Sequence, residues 1–197
     1  MKKQISILCI LLLLGMVTNA QVNIPQVIPS LQNWKTGKGK LALPATGKII
    51  VAPEAESLLK ETAEIVTKDL KAMFGWNYQV ISGKPEKSSI YLSLKNSPTP
   101  SKEEGYEMNI NNRVTIEAST VKVVFWGTRT LLQMLHNQPS GILQEKTSDY
   151  PQYSHRGMMI DVARKFFTID YLRDYIKILS FYKMNELQIH LNDNGFV

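Results

Sequence analysis

Near the end of this 197-residue chain, Gln188, His190 and Asn192 alternate with Leu187, Ile189 and Leu191, and Asp193-Asn194-Gly195 follow at once. Alternation at period two puts the two sets on opposite faces of one β-strand. Hydrogen-bonding side chains in a row on a buried face cost free energy unless something polar meets them, so this face is a candidate ligand surface. A polar network that satisfies itself without a ligand fits the same residues. Upstream, Asp161 closes an otherwise apolar stretch, with Arg156 before it and Arg164 after it. The three histidines fall at no HxH or HExxH spacing, so no metal is expected, and no cofactor is implied.

The elements that position these residues read as strand, helix, strand. An apolar strand is expected over 157–162, and Thr168 is placed to cap a helix that starts at Ile169. Leu172, Ile176 and Leu179 recur at helical spacing, with Tyr175, Ile178 and Tyr182 widening the stripe. Lys183 falls in the last turn, where a cation complements the carbonyl end. Residues 184–185 make the turn into a second strand, 186–192. This is a βαβ unit, the repeating piece of parallel-sheet folds. Parallel strands covered on both faces read as continuous Val/Ile/Leu. A polar face fits instead the interior of a (βα)8 barrel, with 193–195 at the C-terminal rim where barrel active sites sit.

Residues 21–150 read as a separate α/β domain. Pro25 and Pro29 keep its first residues extended or turned. Short strands are expected at 40–43 and 48–52, then a helix over 56–74 with Leu59, Ala63, Val66, Leu70 and Met73 in one stripe and Gly75 to stop it. Strands follow at 78–81 and 89–94, a proline-containing loop at 96–101, and a hairpin of 106–110 and 113–117 turning at Asn111-Asn112, a dipeptide that tolerates positive φ. Ser119 or Thr120 caps an amphipathic helix carrying Val121, Val124, Phe125, Thr128, Leu131, Leu132 and Leu135. Gly141 and the polar run 144–149 are expected as the linker to the barrel. No internal repeat is found.

The residues from Arg156-Gly157 through Asp161-Val-Ala-Arg164-Lys165-Phe166, then Tyr182-Lys-Met-Asn185 and His190-Leu-Asn-Asp193, resemble the opening of the catalytic barrel of family 20 glycoside hydrolases, the β-N-acetylhexosaminidases and their relatives. The match runs without a gap over about forty-five residues. Lys165 stands where the family has His and Asn194 where it has a second Asp, both departures bearing on substrate preference. Glu104-Gly105-Tyr106, Val114-Thr115-Ile116 and Phe125-Trp126-Gly127 leading into 130–133 resemble the non-catalytic domain that precedes that barrel. The resemblance implies an α/β fold: an α+β N-terminal domain of β-hexosaminidase domain-2 type, followed by a truncated TIM (β/α)8 barrel. The divisions are a signal peptide at 1–20, the N-terminal domain at 21–150 and the start of the barrel at 151–197.

Residues 1–20 combine Lys2 and Lys3 with an apolar core over 5–17 and small residues at Thr18-Asn19-Ala20, the pattern of a cleavable secretory signal. The apolar run is short for a bilayer crossing, which needs roughly 20 residues. Cleavage would remove Cys9, the single cysteine, and leave no internal disulfide, as suits a bacterial periplasmic or secreted protein. No other membrane span is expected. Losing Lys2 and Lys3, with no acid in that segment, lowers the net charge from +6 to +4. Lys35, Lys38, Lys40 and Lys48 contribute much of this excess, without a basic helix or a basic run interleaved with aromatics. The charge therefore reads as solvated surface, and nucleic acid is not expected as a partner.

A (β/α)8 barrel needs at least roughly 200 residues, and the 47 from Pro151 to Val197 provide strand, helix and strand. The chain is expected to be the N-terminal part of a longer enzyme. What the resemblance implies for the chemistry is a retaining, substrate-assisted route: the acetamido oxygen of the substrate attacks the anomeric carbon to give an oxazoline. An adjacent Asp-Glu pair serves it, Asp orienting the acetamido group and Glu acting as general acid and base. No Asp-Glu dipeptide occurs in these residues, so no catalytic residue is assigned. By the same resemblance, Arg156, His190 and Asp193 are substrate-binding candidates, with Asp161, Arg164 and Asn194 supporting the pocket, and the partner is a glycan ending in β-linked N-acetylhexosamine. Arg156 matches the arginine that holds hydroxyls of the terminal sugar, a task a planar guanidinium performs on neighbouring hydroxyls. A brace paired with Asp161 or another acid is its second fit. Trp126 fits a sugar-stacking platform or, by the burial habits of tryptophan, an interdomain packing aromatic. A non-catalytic carbohydrate-binding or assembly module, a lacto-N-biosidase-type enzyme releasing a disaccharide, and an unrelated barrel enzyme remain as alternatives.

Overall fold

The computed structural model describes residues 25–95 and 104–192. The expected leader at 1–20, the loop expected at 96–101 and the rim residues Asp193 and Asn194 lie outside the described residues. The first unit runs β1 (Asn33–Leu41), β2 (Thr46–Val51), α1 (Glu56–Phe74), β3 (Asn77–Ser82), β4 (Ile90–Leu94), β5 (Tyr106–Ile110), β6 (Val114–Ala118), α2 (Val121–Asn137) and β7 (Ile142–Asp149). These strands form one sheet in the order β1-β7-β5-β6-β4-β2-β3. Pairing is parallel among β3, β2, β4 and β6 and antiparallel among β6, β5, β7 and β1.

Local sequence explains most of these elements. Ile49, Ile50 and Val51 are all buried because β2 lies between β3 and β4. Leu59, Ala63, Val66 and Leu70 form the buried stripe of α1, and Gly75 ends the helix in the left-handed region at φ 72°. Met73 falls outside the stripe, 38% exposed, and Phe74 with Trp76 makes the core contact at that end. Thr120 caps α2, its Oγ1 accepting from the Val123 amide at 3.4 Å. The 106–118 hairpin turns through a three-residue connection with no positive φ: the Asn111 side chain closes it by accepting from the Arg113 amide at 3.3 Å.

Two strands depart from the sequence expectation. β1 begins seven residues earlier than expected, as an edge strand whose exposed lysines 35 and 38 mask its pattern while discouraging edge pairing. The run expected as a linker at 144–149 is most of β7, between β1 and β5. Its alternation is real but is written in polar residues: Glu145, Thr147 and Asp149 are buried, and each finds a partner. Thr147 donates its hydroxyl to Glu145 at 2.6 Å. Burial nevertheless pushes the Glu145 carboxyl up, with the Thr147 bond only partly opposing it. A carboxyl raised on folding contributes stability at low pH that is lost as pH climbs through its folded value. Glu145→Gln, which keeps an acceptor for Thr147, is therefore expected to raise the melting midpoint by a few degrees at pH 7 and by less near pH 4, measured by thermal unfolding at both.

The second unit is β8 (Gly157–Asp161), α3 (Ile169–Phe181) and β9 (Glu186–His190), a βαβ unit with β8 and β9 paired in parallel. Thr168 caps α3 as expected, accepting from the Tyr171 amide at 3.2 Å. Ile169, Ile176 and Ile178 of α3 and Met158 and Met159 of β8 stay exposed, a large open apolar surface for one small unit. No helix among the described residues is long and apolar enough to cross a membrane.

Candidate functional site

Asp161 and His190 are direct neighbours across the parallel pair, and Gln188 stands beside Met159 two positions back on the same face. The polar face read from the alternation therefore exists on β9, and on β8 Asp161 joins it beyond the apolar Met159. His190, Gln188 and Asn192 are exposed on it. Asp161 turns one oxygen to the following loop: Oδ1 accepts from the amides of Ala163 at 3.0 Å and Arg164 at 3.2 Å. Its other oxygen lies 3.5 Å from Arg164 Nε. Asp161 and Arg164 thus shape the loop that leaves the C-terminal end of β8.

Arg156 is not part of that cluster. It precedes β8, about 16 Å from Asp161 at the usual rise of an extended strand. Its guanidinium is held where the two units meet. Nη2 donates to Glu104 Oε2 at 2.9 Å, Nε to the Lys183 carbonyl at 2.8 Å, and Nη1 to the carbonyls of Tyr153 at 2.7 Å and Ser154 at 3.4 Å. The Trp126 ring lies 5.8 Å from its central carbon. The acid that braces Arg156 is thus Glu104, not Asp161. Glu104 also pairs with Lys122 through its other oxygen. Burial alone would raise the Glu104 carboxyl, but the two cations outweigh it and hold it below its usual range. Arg156, Glu104, Trp126 and Tyr153 line a cavity of about 330 Å³. Trp126 is nearly buried, at 8%, which makes it an aromatic packed between the units.

A second interface cluster escaped the sequence reading. Tyr106 opens β5 and Asp149 ends β7, so the antiparallel register sets them side by side. The Tyr106 hydroxyl donates to Asp149 Oδ2 at 2.7 Å and lies 2.6 Å from the Thr130 hydroxyl, which is left to donate to it. Lys183 completes the group, its Nζ 3.1 Å from the same carboxylate oxygen and 3.3 Å from the Tyr106 hydroxyl. The expected role of Lys183 at the helix end is replaced by this one. The residue sits just past α3 at φ 59°, with Met184 N–H bonded to the Leu179 carbonyl, and its ammonium is turned into the interface. Burial drives the Lys183 ammonium down from its ordinary value, partly offset by Asp149, and drives the Tyr106 phenol well up, aided by that charge. Nothing local marks Asp149 and Lys183 as a pair, because they are 34 residues apart. Glu104 was visible only as one letter of a short motif.

Residues 24–150 match the family model described as glycosyl hydrolase family 20, domain 2, and residues 153–196 match the one described as glycosyl hydrolase family 20, catalytic domain. The chain belongs to glycosyl hydrolase family 20. Among curated relatives, a beta-hexosaminidase of Porphyromonas gingivalis is 28% identical over 158 residues, covering 75% of this chain and 20% of the relative. A beta-N-acetylhexosaminidase of Cellulomonas fimi is 36% identical over 99 residues, covering 48% of this chain and 20% of the relative. The N-acetyl-beta-hexosaminidase of Streptomyces plicatus, solved in complex with Thio-NAglucal, superposes with a TM-score of 0.74 at 27% identity, over 87% of this chain and 35% of that one. The chain spans about a fifth of the length of the curated relatives it matches.

Proposed function

We propose that these residues are the N-terminal part of a secreted or periplasmic β-N-acetylhexosaminidase that removes terminal β-linked N-acetylhexosamine from glycans. The observation that carries this reading is the polar face of β9, with Asp161, Gln188 and His190 together toward the C-terminal ends of the strands of a parallel βαβ unit in a family 20 chain. Two parallel strands with open edges, beside exposed Met158, Met159 and Ile176, support further βα units closing over this surface. His190 and Asp193 would then meet the sugar at the C-terminal end of the strands, with Asp161, Arg164 and Asn194 shaping the loops around it. Arg156 approaches from the opposite end. Four hydrogen bonds occupy its guanidinium and leave one Nη2 N–H of its five donors to give to a sugar hydroxyl.

The chemistry proposed is retaining and substrate-assisted. The acetamido oxygen displaces the leaving alkoxide at the anomeric carbon, a general acid protonates that oxygen, and water opens the oxazoline. The Asp-Glu pair this requires is absent from the 197 residues and is assigned to a later barrel strand. Two proteins test the reading: residues 1–197 alone, and the full reading frame that contains them. The longer protein is expected to hydrolyse 4-nitrophenyl N-acetyl-β-glucosaminide, and the 197 residues to show no turnover. Hydrolysis by the short chain would overturn the assignment of the catalytic pair to a later strand, and an intact but inactive barrel lacking Asp-Glu would favour a binding module.

A further inference from the structure

We infer that Glu104 is a positioning residue for the sugar site, through which the domain preceding the barrel sets the orientation of Arg156. The inference rests on the proposed reading of Arg156 as a sugar-binding group. The one N–H that Arg156 has left can be aimed at a sugar hydroxyl only if the plane of the guanidinium is fixed, since a freely rotating group loses the direction of that bond. On the barrel side, Arg156 is tied to neutral carbonyl oxygens, those of Tyr153, Ser154 and Lys183. Among the described residues, its one ion pair crosses to the other unit. The Arg156 and Glu104 side chains are 11% and 17% exposed, so the pair is shielded from the solvent screening that weakens surface ion pairs.

Glu104 is itself held from behind. Its second oxygen pairs with Lys122 on the first turn of α2, and Trp126, one turn further along that helix, lies against the guanidinium. Lys122, Glu104 and Arg156 therefore form a relay from the rigid helix of one unit to the first strand of the other. Glu104 holds one Nη2 N–H of Arg156, and both residues line the cavity. Removing the carboxylate charge would free Nη2 to turn toward other acceptors.

The test uses the enzyme from the full reading frame, with 4-nitrophenyl N-acetyl-β-glucosaminide for kinetics and N-acetylglucosamine for calorimetry. Glu104→Gln is expected to raise KM and the Kd for N-acetylglucosamine about tenfold, the loss of one charge-assisted contact's worth of order, with kcat changed less than about twofold. Hydroxyls away from the reacting carbon are held alike in the ground and transition states, which is why the loss falls on KM. Glu104→Asp, which keeps the charge on a shorter stem, should recover part of the affinity. Arg156→Ala separates this inference from the reading beneath it. If Arg156→Ala leaves KM and Kd unchanged, the sugar-binding reading of Arg156 fails. If Arg156→Ala raises both and Glu104→Gln does not, the positioning role of Glu104 is overturned. A parallel fall in kcat and melting temperature for Glu104→Gln and Glu104→Asp, at constant KM, would also overturn it, since that is what a purely structural contact does.

Discussion

Asp149→Ala is expected to lower the unfolding free energy by about 3–5 kcal/mol, the range for stranding one partner of a buried ion pair. The Lys183 and Asp149 side chains are 9% and 7% exposed, so neither charge can turn to water without opening the interface. The same substitution removes the partner of the Gln32 amide, which donates to Asp149 Oδ1 at 3.0 Å, and leaves the Tyr106 hydroxyl with Thr130 and Lys183. Lys183→Gly presents opposing terms. Glycine relieves the positive φ, worth about 1 kcal/mol, but strips Asp149 of its cation. The ion-pair term is larger, so a net loss of roughly 2–4 kcal/mol is expected from subtracting the one from the other. Combining Lys183→Met with Asp149→Asn removes both charges and should be less damaging than Asp149→Ala, because no buried charge is left unpaired. Urea unfolding of these three variants measures each difference. A loss in the double variant as large as the sum of the losses for the single charge removals would mean that the pair is not electrostatically coupled.

Legibility in the sequence followed the range of the interactions. Elements held by their own neighbours could be read: α1 from its stripe and Gly75, α2 and α3 from Thr120 and Thr168, and β9 from its alternation. β7 was hidden because the residues on its buried face are Glu145, Thr147 and Asp149, and a polar residue reads as buried only once its partner is known. The candidate site divides in the same way. Asp161, Gln188 and His190 share a face because a period of two and a parallel pairing oblige them to. Arg156 could be singled out, but its acid lies 52 residues away in the other unit, so the choice between Asp161 and another acid had no local answer. Lys183 was misassigned because a lysine at a helix end has a sufficient local explanation, and only the tertiary structure supplies the stronger competing one.

Gly127→Ala is expected to destabilise by about 1–3 kcal/mol, the usual cost of overpacking a filled core. Helix propensity alone argues the reverse, since alanine is favoured over glycine in a helix interior by about 1 kcal/mol. The surroundings of α2 decide between them. A Cβ at Gly127 would lie 2.6 Å from Ile116 Cγ2 and 3.2 Å from Tyr106 Cδ2, the first closer than carbon atoms approach without something moving. Ile116 is fully buried on β6, and its branched side chain has little rotamer freedom with which to retreat. Tyr106 cannot swing away cheaply either, because its hydroxyl is fixed between Asp149 and Thr130. The added methyl therefore lifts α2 from the sheet or pushes Tyr106 off Asp149. In the second case the strain reaches Lys183 and the contact between the units. The cycle of Gly127→Ala with Ile116→Ala distinguishes packing from propensity. Truncating Ile116 removes the methyl that the new Cβ would strike, so the double variant should be more stable than the sum of the singles by at least about 1 kcal/mol, within the coupling seen between contacting residues. Strict additivity in urea unfolding would show that the close approach of helix and sheet at Gly127 does not set the stability of this face.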